Sequence, residues 1–194
     1  MADNQIQALK SWFERQAEKE AKNDVLKRSD RIGNLIGIIG IIVVLIFFIA
    51  HSTSQSGFFT PEFGAVAAFI FFGSSAWGII PSMIRFITGK KSPSKPFDLF
   101  GSIFVLIAML YFLASFSFDF SHVAAPLPDF LKWTIQWLTD GFVRALMVLA
   151  TIVLVFVIPF QIFSYQNLRC ALAKQAPVPA RIADAAEKAE EPKQ

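Results

Sequence analysis

The sequence predicts an all-α polytopic membrane protein. Its core is a four-transmembrane-helix bundle, with an N-terminal cytoplasmic amphipathic helix and a short outer interfacial helix. Three observations carry this. Four long stretches contain no Asp, Glu, Lys or Arg. Phenylalanine, at 22 residues, far outnumbers tyrosine, at 2. Basic residues gather in alternate connecting segments and are sparse in the others.

The composition points the same way. Of 194 residues, 54% are hydrophobic and 17% charged, whereas a soluble domain has about 45–50% and about 25%. Phe has no polar handle, which suits contact with acyl chains and helix packing better than a soluble core. Four such helices in a soluble chain this short would leave almost no polar face for water.

The first 31 residues precede any apolar run. Within them, positions 4–28 read as one helix capped by Asp3 or Asn4. Ile6, Leu9, Phe13 and Ala17 recur at helical spacing with Trp12 beside them. The reading is a helix whose Ile6, Leu9, Trp12 and Phe13 dip into lipid headgroups, with packing on protein as the alternative. Six acids nearly cancel seven bases there, and net charge is only +3, so a nucleic-acid partner is not expected.

The spans follow at about 32–50, 62–88, 97–118 and 141–165, inside a bundle covering 32–168. Each supplies the ~20 apolar residues a crossing needs. The first is the strongest, since each Ile, Val, Leu or Phe favours insertion by roughly 0.3–0.6 kcal/mol and only Asn34 opposes. It follows too many charged residues, and is too long, to be a cleaved leader. Thr60-Pro61-Glu62 reads as the cap and first turn of the second span. Gly89 ends it ahead of Ser92-Pro93-Ser94-Lys95-Pro96. Pro126 and Pro128 break the chain after the third span. Positions 128–139, with Phe130, Trp133, Trp137 and Leu138 on one helical face, form the outer interfacial helix. Phe116, Phe118 and Phe120 alternate with polar residues and read as interfacial filler rather than as a strand. The tail, 169–194, is rich in Ala, Pro, Glu and Lys without a hydrophobic period and is expected to be disordered.

Orientation follows from the basic residues. Lys10 to Arg31, Arg85 to Lys95, and Arg169 to Lys193 fall on one side, which places both ends in the cytoplasm. A bacterial inner (plasma) membrane is the expected location.

The candidate site residues are few. Gly33, Gly37 and Gly40 on the first span, and Ser74 and Gly78 on the second, have small-residue spacing that lets helix backbones approach. Pro81 and Pro159 sit in matching Ile-Pro-x-x-Ile settings and are candidate hinges, as in a duplicated two-helix hairpin. Trp12, Trp133 and Trp137 are candidate interface anchors. No ionisable residue lies deep in a span. Arg144 is near enough to pair with Asp140, and Asp98 suits a helix N-terminus. His51 and His122 fall at outer span ends, where unrelated roles are favoured over a shared haem or copper site. One cysteine, Cys170, excludes an internal disulfide.

No cofactor, metal or catalytic set is expected. The expected role is structural, anchoring or accessory, with lipid, other membrane subunits or a second copy as partners. The alternative is a small transporter or channel that works as an oligomer, using Ser74, Ser75, Ser102 and Thr151 around a shared axis. An enzyme comes third.

Overall fold

A computed structural model describes the backbone of residues 2–175 and the side chains of residues 11–174. Four helical stretches are long and apolar enough to cross a membrane: Arg28–Thr53, Ala65–Thr88, Ser92–Ala114 and Asp140–Lys174. The chain divides into two compact units, residues 26–160 and residues 1–25 with 161–194.

In the larger unit, α2 (Arg28–Thr53) begins at Lys27, whose side chain makes no cap bond. Its start is held by the backbone instead. The Leu26 amide donates to the Gly89 carbonyl at 2.8 Å, and Arg31 donates through Nε and Nη2 to the Phe86 carbonyl at 3.1 and 2.7 Å. The chain can make this turn because Gly89 adopts φ +64°, where a Cβ would cost about 1–2 kcal/mol. Gly89 therefore ends its helix as the sequence predicts. Asn34 is satisfied locally by the Asp30 carbonyl at 2.8 Å.

The second apolar stretch is two helices, α3 (Ala65–Trp77) and α4 (Ile79–Thr88). It starts at Ala65 behind Gly64, not at the Thr60-Pro61-Glu62 cap read from sequence. Residues 59–63 are drawn into an aromatic cluster, with the Phe59 and Phe63 rings 4.1 Å apart, so the chain there cannot also form a helical turn. The interruption falls at Gly78 rather than at Pro81. Pro81 has no N–H to return to the Trp77 carbonyl, and the chain absorbs this one turn earlier, where a Cβ on Gly78 would stand 3.0 Å from Ile41 Cδ1 of α2. Pro159, by contrast, lies inside an unbroken helix. The two prolines are not equivalent hinges.

After a 3-10 turn, Ser92–Ser94, comes α5 (Lys95–Ala114), shorter than the predicted 97–118 at its far end. Residues 115–119 leave the helix because Phe118 is needed elsewhere. It makes a single antiparallel bridge with Phe59, and the Asp119 amide donates to the Phe58 carbonyl at 2.8 Å. Phe118 is buried with Phe58, Ala67, Phe112, Val123 and Met147. The alternating phenylalanines are thus core, not filler.

The predicted interfacial helix 128–139 is reduced to the single turn α6 (Asp129–Lys132), followed by turns. Its apolar residues divide between two directions. Ile135 and Leu138 pack on the aromatic cluster, while Phe130, Trp133 and Trp137 stay exposed. A regular helix could not serve both.

The last helix, α7 (Asp140–Gln175), runs ten residues beyond the predicted end at 165. The reason lies in the smaller unit, where Leu168 and Ala171 bury against Ala17 and Ala21 of α1 (Ala2–Lys22). That packing makes the first part of the predicted tail helical; residues 176–194 lie outside the described region. α1 itself ends at Lys22, short of the predicted 28, and Asp3 and Asn4 lie inside it rather than capping it. Phe13 faces protein, 6.4 Å from Phe163, whereas Trp12 is exposed. Ile6 and Leu9 lie outside the described side chains.

Candidate functional site

Two basic and acidic residues that looked unrelated in sequence meet between α4 and α5. Arg85, in the last turn of α4, pairs through Nη2 with Asp98 Oδ2 in the first turn of α5. The side chains are 28% and 25% exposed. Ser94, wholly buried, joins them. Its hydroxyl accepts from Arg85 Nε at 2.8 Å and lies within donating distance of the Lys91 carbonyl (2.9 Å) and Asp98 Oδ2 (3.2 Å). Asp98 is therefore an ion-pair partner and not only a helix-dipole residue. The sequence held a signal for this: Arg85 is the first charge after one apolar run, Asp98 is the only carboxylate before the next, and a short lysine-bearing turn joins them.

Asp98 also lines a cavity of about 280 Å³ with Ser74, Trp77, Pro81, Gly101 and Ser102 among its walls. Gly101 makes room for the Trp77 ring, since a Cβ there would stand 2.7 Å from Trp77 Cδ1. The indole N–H donates to the Phe97 carbonyl at 3.0 Å. Ser74 and Ser75 donate to the Phe71 carbonyl, Ser102 to Asp98 and Thr151 to Met147. Each hydroxyl satisfies its own helix, as such residues do in apolar surroundings. The structure brings Ser74, Ser75 and Ser102 to one cavity; Thr151 is not among its lining residues.

The remaining candidates are dispersed. Gly33, Gly37 and Gly40 are exposed, with nothing within 4 Å of where a Cβ would stand. Of the candidate glycines Gly33, Gly37, Gly40 and Gly78, Gly78 is the one that meets a neighbouring helix closely, at Ile41. Trp133 and Trp137 are exposed, and Trp137 donates to the Thr134 carbonyl at 2.6 Å.

His51 is buried and fully engaged. Its Nε2 donates to the Val123 carbonyl at 2.9 Å, so in the neutral ring Nδ1 accepts from the Ser56 hydroxyl at 2.6 Å. His122 is exposed and lies 3.1 Å from Asp119 Oδ2 through Nδ1. The Ser121 hydroxyl and amide hold the Asp119 carboxyl below its usual range, with His122 adding to the effect. Among the described residues no three His, Cys, Asp or Glu form a metal-binding group. Arg144 lies over the Phe116 ring at 4.1 Å, while Asp140 accepts from the Phe120 amide at 2.8 Å. Both loop contacts replace the Arg144–Asp140 pair expected from spacing.

Comparison with protein-family models, with curated proteins and with solved structures finds no match to this chain.

Proposed function

We propose that this chain is a small integral membrane protein with a structural, anchoring or accessory-subunit role in a membrane complex, and that it is not an enzyme. One contrast supports this reading. The hydroxyls of the apolar helices bond to their own backbones, while the long faces of α2 and α7 stay uncovered. Ile36, Val43 and Ile46 of α2 and Leu149 and Phe156 of α7 are all exposed. No residue in the most apolar window of α7 is buried. Such surface suits acyl chains and neighbouring helices, not water.

The basic clusters support an orientation with both ends in the cytoplasm, in a bacterial inner membrane. Reporter fusions after Gly57, Lys91, Ala125 and Lys193 are expected to read outside, inside, outside and inside. Any other order defeats the four-span reading.

A partner helix would fit best at Gly33, Gly37 and Gly40, where this chain leaves space. A photo-crosslinker at Gly37 in native membranes is expected to give one discrete hetero-adduct, and Gly37→Leu to abolish binding there without unfolding the chain. A second reading, an oligomeric transporter or channel, is favoured by the meeting of Ser74, Ser75 and Ser102 in one cavity. Self-adducts, with solute flux in liposomes that a bulky substitution at Ser74 stops, would establish it instead.

A further inference from the structure

We propose that the end of the larger unit where α2 begins, α4 ends and α5 begins is a docking surface for the headgroups of anionic phospholipids. The proposal rests on the membrane reading above, and it adds a lipid class to it.

Two basic segments far apart in sequence are fastened together there. The Leu26 amide bonds to the Gly89 carbonyl, and the Arg31 guanidinium donates to the Phe86 carbonyl. These ties set Lys27, Arg28 and Arg31 at the start of α2 beside Lys90 and Lys91 just past α4, with Lys95 opening α5. Lys27, Arg28, Lys90 and Lys91 are exposed. Arg31 bonds to a neutral carbonyl, which does not cancel its charge. Arg85 and Asp98 neutralise each other. Against the six other cations the larger unit places one acid at this end, Asp30. Asp24, two residues before Leu26, lowers the sum by one more. The smaller unit as a whole is balanced, with nine bases and nine acids, and does not offset the excess. Local pairing among these groups leaves the sum positive.

The same end runs on into apolar surface. Ile32, Leu35 and Ile36 on α2, Ile87 on α4, and Phe97 and Phe100 on α5 are exposed, each within five residues of one of those cations. A nucleic acid or an acidic peptide would use the charge and leave this apolar surface uncovered. A phospholipid uses both, its phosphate meeting Lys and Arg while its chains lie along the helices. A zwitterionic headgroup brings an ammonium of its own into the excess of cations, whereas phosphatidylglycerol brings the phosphate alone. Phosphatidylglycerol is therefore preferred to phosphatidylcholine. Each Lys or Arg beside an anionic surface is worth about fivefold in binding.

The test uses the full chain in nanodiscs, which present both faces to lipid whatever the orientation in cells. The probe is phosphatidylglycerol with a photoreactive group at the start of its acyl chain. Labelling is expected on the peptides holding residues 27–36, 87–91 and 95–100. Unlabelled phosphatidylglycerol should compete about tenfold better than phosphatidylcholine, and salt at roughly 1 M should shrink that advantage. Lys90→Gln with Lys91→Gln should lower the advantage to about twofold or less, whereas Lys90→Arg with Lys91→Arg, which keeps the charge, should preserve it. Equal competition by the two lipids in the unmodified chain overturns the proposal and leaves the membrane reading standing. So does labelling no denser at these peptides than at residues 58–63, or a preference that the glutamine pair does not move. Release of the chain from membranes by alkaline carbonate overturns both.

Discussion

Arg85→Ala is expected to destabilise the purified chain by about 2–3 kcal/mol. This lies between the 3–5 kcal/mol for breaking a buried pair and the 0–1 kcal/mol for an exposed one. Exposures of 28% and 25% put Arg85 and Asp98 between those limits. The cost comes from what remains. Asp98 keeps its charge and only the Ser94 hydroxyl, and Ser94 loses the Arg85 donor while staying wholly buried. Asp98→Asn should cost less than Arg85→Ala plus its own lost attraction suggests, because the amide oxygen can still accept from Ser94. The double variant should be less destabilised than the sum of the two singles. Unfolding of all four proteins in mixed micelles gives the coupling directly. Additive effects would mean that the pair holds α4 to α5 no better than solvent does.

Phe58→Ala is expected to be the most damaging single truncation, at about 3–5 kcal/mol. Phe58 is 1% exposed and its ring lies within 5.6 Å of His51, Phe48, Phe59, Phe118 and Phe120. It sits in a connecting segment, where its carbonyl also receives the Asp119 amide. Truncation therefore opens a cavity where two loops meet, held together by packed rings and a few backbone and His51 hydrogen bonds. Phe156→Ala, at 74% exposure on α7, removes the same atoms with no cavity and should change detergent-phase stability by well under 1 kcal/mol. If the two substitutions cost the same, the aromatic cluster is not the fastening of the loops.

The apolar helices were legible because they depend on local facts. A run of about 20 apolar residues without charge has one economical backbone solution in an apolar medium, and Gly89 marks where it stops. Charge position likewise reads directly from the chain. Helix ends were legible only where nothing distant competed. At Ala65 and Ala114 the rings of Phe59, Phe63 and Phe118 pulled residues out of helix into the aromatic cluster. At Gln175 the opposite happened, and Ala17 and Ala21 extended α7 by giving Leu168 and Ala171 something to bury against.

The candidate site shows the same division more sharply. Local spacing could suggest that Gly33 and Gly37 share a face, but not that the face is uncovered. It could suggest that Asp98 favours a helix start, but not that Arg85, thirteen residues earlier, reaches it. Hydropathy and charge patterns are sums over neighbours in sequence, and they settle which segments are helical and apolar. Partners in space depend on side-chain directions after the chain has turned. So the Arg85–Asp98 pair, the burial of His51, and the cavity beside Trp77 and Gly101 were decided only by packing in three dimensions.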